Sequence, residues 1–366
     1  MPFQVGALMD GTGLTSGQAG LFGFVEVGSL AAGMILIASW IDRVPPRIIA
    51  TASAFLAGAA NLGLYFIHGF SAELICGALS GLGFGFIFAA TISAAATAEE
   101  PDRLYAIGNA GALLLIVGIM AIIPLIGRHF GPLGVFVSIA CLAIAGSVFF
   151  LGFRRGRSTS LTRPPAWRIQ GAPGLLFSWA SFSLGTGALY AFSERIGKTL
   201  HIQPETIGIV LSAGVFVGLI GTGAAAVLAG SVNRRRALIA GMLGSGLSCL
   251  LLGYAINLTM FIAGVCAYWI CYMFLYSYLL GTAAQLDDSG RVGTMGGGLE
   301  RLAYGAGAWT GGVLAEHIGY SVTGALGCFG CILGIVVGFP GLFRALDRRK
   351  SGMDKSTIAA LTASDS

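Results

Sequence analysis

Two carboxylates and one guanidinium lie far inside apolar stretches of this sequence. Glu26 interrupts LFGFVEVGSL, and Glu300 with Arg301 interrupts MGGGLERLAYG. A carboxyl buried alone favours its protonated form, whereas one beside a guanidinium stays ionised. A set of this kind can bind and release a proton as its surroundings change. Glu300 and Arg301 are neighbours, hence about 100° apart on a helix, so they do not pair face to face.

Aromatic residues form a second pattern. In AYWICYMFLYSYLL, Tyr268, Tyr272 and Tyr276 recur every four residues, with Trp269, Phe274 and Tyr278 between them. Each tyrosine offers a flat apolar face and one hydrogen-bonding hydroxyl, which suits an aromatic or amphipathic solute. Trp179 and Tyr190, near Ser178, Ser181 and Ser183, add to this set. The competing reading is packing plus an interfacial belt, where Trp and Tyr also concentrate.

Other chemistries find no support. The seven cysteines lie in apolar runs without paired metal-ligand spacing, and the lone CFGC of Cys328 and Cys331 reads as helix packing. TMGGG (Thr294 to Gly298) lacks the Lys-Ser/Thr that a phosphate loop requires. With no nucleophile–base set, the expectation is a non-enzyme without cofactor, metal or nucleic-acid partner. His68, His129, His201 and His317 fall near helix ends. In SERIGKTLH, Glu194 and Arg195 read as a solvated loop, with a gate at the mouth as the alternative.

The elements that must carry these residues follow from composition. Of 366 residues, 55% are hydrophobic and only 10% are charged, with mean hydropathy +0.84. A soluble domain carries about 25% charged residues. The 58 glycines suit close packing of membrane helices. The fold class is therefore an all-α polytopic membrane protein. Eleven stretches are long enough to span, at 19–41, 48–67, 72–97, 104–126, 132–153, 171–192, 205–231, 237–256, 259–283, 292–316 and 321–343. Alternating sides along these spans places seventeen of the 21 Lys and Arg residues on one side and three on the other. Only Arg301 falls within a span. The basic side is the cytoplasmic one, and the C-terminus lies on it. Multi-pass residence in the plasma (inner) membrane is expected.

The chain also repeats itself. EEPDR (Glu99 to Arg103) and DDSGR (Asp287 to Arg291) stand 188 residues apart. DRVPPR and NRRR begin 191 apart, at Asp42 and Asn233. The organisation expected is an N-terminal half at 1–153, a basic linker at 154–170, a C-terminal half at 171–345 and a cytoplasmic tail at 346–366. By this repeat the span from Gly171 wants a partner about 20 residues before Met1. MPFQVGALM then reads as the outer end of a first helix, and twelve spans are expected in the intact protein. A true eleven-span chain is the alternative.

Two six-helix halves, a central basic loop and a charged turn after the second helix resemble the major facilitator superfamily. In ASWIDRVPPR, Asp42, Arg43 and Arg47 match the family's cytoplasmic gate motif, while Ala38, Pro45 and Pro46 depart from it. GALSGLGFG keeps Gly81 and Gly83, with Gly77 where the family often has Arg. GNAGALLLIVGIMAIIPLIG lacks the antiporter Gly-Pro pair. The resemblance implies secondary active transport by alternating access, with the substrate between the halves near mid-membrane. It also places Glu26 and Glu300/Arg301 on facing helices, and the tyrosine stripe on a cavity-lining helix. Their depths are similar, roughly 10 and 12 Å from opposite faces at 1.5 Å per residue. Arg301 is therefore expected to pair with Glu26 in one access state and release it in another. A fixed bridge between the halves and a water-exposed vestibule site are the alternatives. Arg301 and the tyrosines favour a proton-coupled transporter of an organic or aromatic acid, working as a monomer in the bilayer. Proton-driven efflux of drugs or hydrophobic metabolites is the second reading.

Overall fold

A computed structural model describes residues 2–38, 44–95, 115, 117–119, 122, 123, 125–152, 166–228, 231–287 and 291–348. The gate-motif residues Asp42 and Arg43, the EEPDR turn, most of the linker and the end of the tail lie outside the described residues. Twelve helices can be followed among them. The N-terminal half holds α1 (Pro2–Thr12), α2 (Ser16–Ala38), α3 (Pro46–Phe66), α4 (Phe70–Ala95) and α5 (Gly134–Phe150). After a short 3-10 turn (Ala166–Arg168) come α6 (Ala172–Tyr190), α7 (Ser193–Thr199), α8 (Pro204–Leu228) and α9 (Arg234–Gly253). The chain continues with α10 (Leu258–Leu286), α11 (Arg291–Ile318) and α12 (Ser321–Leu333), and α12 runs on into a π-helical segment (Gly334–Gly338). Seven of the described helices are long and apolar enough to cross a membrane. The protein is an all-helical, polytopic membrane bundle of two halves.

The helix starts follow local rules. Pro46 opens α3, where its missing N–H costs nothing. Asn233 caps α9 by accepting from the Arg235 amide at 3.0 Å, and Asn257 caps α10 by accepting from the Met260 amide at 2.8 Å. The chain turns from α11 into α12 at Gly319, whose φ of +103° is closed to other residues.

Contact between the halves runs mainly through α2 and α11. α2 packs on α4 within its own half and on α11 across the boundary, and α11 also packs on α6. Glycines permit these approaches. A Cβ on Gly20 would lie 2.4 Å from the Ala308 carbonyl oxygen, and one on Gly307 1.9 Å from that of Leu184. Within the C-terminal half, Ser178 of α6 donates to the Gly334 carbonyl at 2.9 Å, where the π segment disturbs the α-helical bonding pattern.

Candidate functional site

Glu26 lies midway along α2 and is buried, with 8% exposure. Gln4 of α1 donates to both of its oxygens, at 3.1 and 3.3 Å. Ser80 of α4 donates at 3.2 Å and itself accepts from Asn61 of α3 at 2.9 Å. Helices α1 and α4 thus bond the carboxylate of α2 directly, and α3 supports it through Ser80. Gly81 makes this possible: a Cβ there would lie 2.0 Å from the Glu26 carbonyl oxygen. The roles of Gln4, Ser80 and Asn61 were not assigned from sequence. The available signal was an amide and a hydroxyl inside apolar spans, since buried polar groups need partners.

Opposite stand Glu300 and Arg301 of α11. Glu300 is also 8% exposed and accepts from the Tyr272 hydroxyl at 2.9 Å. The exposed Arg301 guanidinium reaches across the boundary and lies 5.9 Å from the ring centre of Phe88 on α4. Among the described residues no ion pair joins Arg301 to Glu26. Both instead line one cavity of about 580 Å³ between the halves, together with Glu300 and Gln4. The facing of α2 and α11 expected from the resemblance is present. The expected ion pair is not formed in this arrangement.

The tyrosine stripe forms the cavity's C-terminal wall. Tyr268 and Tyr272 stack at 5.8 Å, and Tyr272 and Tyr276 at 6.1 Å with only 10° between their planes. Trp269, Tyr304 and Phe84 complete the aromatic lining. Trp179 and Tyr190, expected on the wall, stand behind it. Tyr190 stacks on Tyr268 at 5.4 Å, and Trp179 meets Tyr276 edge-on at 5.7 Å. The reason is that α6 packs on α11, α12 and the π segment, so its large side chains fill the core of that half.

One end of the cavity is shut by bonds between the halves. Asp10 of α1 pairs with Arg195 at 2.7 Å and Lys198 at 2.5 Å on α7. Arg195 also donates to the Gly6 carbonyl. Glu316 accepts from the Gly17 amide at 3.2 Å, and the Ser16 and Tyr320 hydroxyls meet at 3.0 Å. Arg128 and Glu205 add a further pair at 2.5 Å. Glu194 and Arg195 are therefore not in a solvated loop. They lie on a short helix, with Glu194 buried and paired to Lys198 at 2.7 Å. Sequence reasoning missed this because a seven-residue helix is too short to show a periodic pattern.

Toward the opposite, basic end some glycines have open space beside them among the described residues. A Cβ on Gly28 would touch only Leu302, at 4.0 Å, and one on Gly297 or Gly298 would meet nothing within 4 Å. Of the expected gate motif only Arg47 is described, exposed in the first turn of α3. The matching turn of the C-terminal half is tied down. Arg234 donates to Thr282 at 3.3 Å, and Arg235 bonds the Phe343 carbonyl at 3.1 Å and pairs with Asp347.

No protein-family model and no curated protein matches the chain. Solved structures do. One is a bacterial homolog of the human lysosomal transporter Spinster, in an inward-facing and occupied conformation. It is 15% identical, with TM-score 0.69, over 94% of this chain and 91% of that one. Another is the nucleoside transporter NupG, crystallised as a point mutant. It is 10% identical, with TM-score 0.71, over 93% of this chain and 94% of that one. At these identities the likeness is one of fold.

Proposed function

For a chain with the major facilitator fold, we propose secondary active transport of a small organic solute by alternating access, coupled to protons. The observation that carries this reading is a cavity of about 580 Å³ between the halves. It holds Glu26 from one half and Glu300 with Arg301 from the other, and ion pairs between the halves tie one end. Burial makes an ionised carboxylate costly unless a partner or a proton accompanies it. Rocking of the halves would bring Arg301 to Glu26 in one state and withdraw it in the other, so the proton load follows the access state. The charge distribution supports a cytoplasmic basic end, in a plasma-membrane protein with its C-terminus inside. Halves at 1–153 and 171–345, acting within one monomer, fit the repeat. An organic or aromatic acid, the substrate favoured by sequence, would engage Arg301.

Proton-driven efflux of drugs or hydrophobic metabolites is the second reading, favoured by the aromatic wall. It predicts that an Arg301→Ala variant still protects cells from lipophilic cations.

The test is reconstitution into vesicles holding a pH-sensitive dye, challenged with a panel of small aromatic acids and amines under a pH gradient. The native protein should move protons together with at least one member. Glu26→Gln should abolish both transport and its pH dependence. Transport with unchanged pH dependence in that variant would remove Glu26 from coupling.

A further inference from the structure

We propose that the basic ends of α9 and of the helix that continues α12 form a site for the phosphate of an anionic phospholipid, approached from the lipid side. The site lies outside the cavity between the halves and does not rest on the transport reading. Arg235 sets its frame. Its guanidinium bonds the Phe343 carbonyl at 3.1 Å, lies 5.1 Å from the Phe343 ring centre and pairs with Asp347. Phe343 and Asp347 thus mark the face that meets α9 on helical residues 339–348, which follow the π segment. By α-helical geometry, Arg344 and Arg348 lie about 100° and about 140° around that helix from Phe343, and Arg236 lies about 100° around α9 from Arg235. The two helices run antiparallel, so both rotations lead to the same side of the pair. Arg236, Arg344 and Arg348 are all exposed, and among the described residues none of the three joins an ion pair. Asp347, the acid beside them, is taken up by Arg235.

Guanidiniums gathered on one side of a helix pair repel one another, and an anion between them removes that cost. Each presents a planar fork that meets two phosphate oxygens at once. Arg236 also sits in the first turn of α9, where the helix dipole favours negative charge. What lies beneath the arginines selects a lipid over a soluble phosphate. One turn deeper come two small exposed residues, Ala240 on α9 and Gly341. A Cβ on Gly341 would meet nothing within 4 Å, so this notch has room for a glycerol ester. Deeper again are Leu243 and Leu247 of α9 and Val337, all apolar and exposed. Arginines, then a notch of small residues, then an apolar path follow the order of parts in a phospholipid.

The headgroup must carry net negative charge. A choline headgroup brings its own ammonium, which the arginines repel, whereas a glycerol headgroup leaves the phosphate uncompensated. A phosphate bound there joins Arg236 to Arg344 and Arg348 and ties the two helix ends together, as Arg235 does from within. A ligand that binds only the folded chain stabilises it, so the lipid should raise the melting temperature.

The test is native mass spectrometry of the purified full-length chain in detergent, titrated with dioleoyl phosphatidylglycerol or dioleoyl phosphatidylcholine. Glycerol 3-phosphate serves as the soluble headgroup. The first phosphatidylglycerol should bind at least about tenfold tighter than phosphatidylcholine and should raise the thermal melt. Arg344→Gln and Arg348→Gln should each weaken it by about fivefold, and Arg344→Lys, which keeps the charge but not the fork, by about twofold. Gly341→Leu fills the notch and should cost about fivefold with no change in charge. Arg47→Gln removes an exposed charge from the same end of the other half and should leave lipid binding unaltered. Equal binding of the two lipids overturns the inference. So does an equal loss in Arg47→Gln and Arg344→Gln, which marks diffuse attraction to the basic end. Glycerol 3-phosphate binding as tightly as phosphatidylglycerol, and indifferent to Gly341→Leu, gives the site to a soluble phosphate and overturns the lipid assignment.

Discussion

Ser80 holds two roles at once, donating to Glu26 and accepting from Asn61. Ser80→Ala should lower stability by about 1 kcal/mol, because it strips a donor from a buried carboxylate and an acceptor from a buried amide. A shift in the thermal melt of the purified protein checks this, and an unchanged melt would mean that water replaces the hydroxyl. Tyr272 supplies a sharper contrast. Tyr272→Phe keeps the ring stack but removes the 2.9 Å bond to Glu300, for a loss of about 1 kcal/mol. Tyr268→Phe removes only a 3.4 Å contact to the Thr186 carbonyl and should melt close to the native protein. Equal losses in the two variants would assign the cost to general packing rather than to the Glu300 bond. Glu26, Glu300, Arg301 and the tyrosines were legible as chemistry because ionisable groups in apolar runs stand out. Gln4 was not, because a glutamine near a chain start carries no such contrast.

At the scale of the helix, glycine decides how closely neighbours approach. Gly81 lets α4 reach α2 beside Glu26, and Gly307 lets α11 reach α6. Both contacts are with backbone, which cannot move aside as a flexible side chain would. Gly307→Val should therefore cost at least about 3 kcal/mol, the upper range of overpacking in a tight core. Gly223→Ala is the control, since nothing lies within 4 Å of its Cβ position and alanine is the better helix former. A melt in which both variants behave alike would contradict the close approach of α11 and α6. The spans that fall on described helices were legible to within a few residues from hydropathy, and the one expected at 104–126 lies mostly outside the described residues. The helix α7 was not, although it carries the ionic contacts that close one end.

Across the whole molecule, Asp10, Arg195 and Lys198 join α1 of one half to α7 of the other. Under the proposed alternating access, rocking must break these contacts, so their strength would set the balance between access states. Arg195→Asp places like charges against each other and should release the closed end. Hydrogen exchange read by mass spectrometry should then quicken in residues 2–12 and 193–199 and stay constant in the buried core of α6. If the single variant exchanges like the native protein, the contacts do not hold that end shut.

Hydropathy, the one-sided placement of Lys and Arg, and the repeated turns are properties of the linear chain. From them alone come the helical membrane class, the location of the spans, and the helices that carry Glu26, Glu300 and Arg301. The tertiary structure decided what each of these residues meets. It turned Gln4 and Ser80 onto Glu26, set Arg301 toward Phe88, and moved Trp179 and Tyr190 behind the tyrosine wall. Those outcomes depend on the rotation of each helix about its axis and on how closely glycines let the backbones approach. Spacing along the sequence places a residue on a helix, and only packing against neighbours determines which way its side of that helix faces.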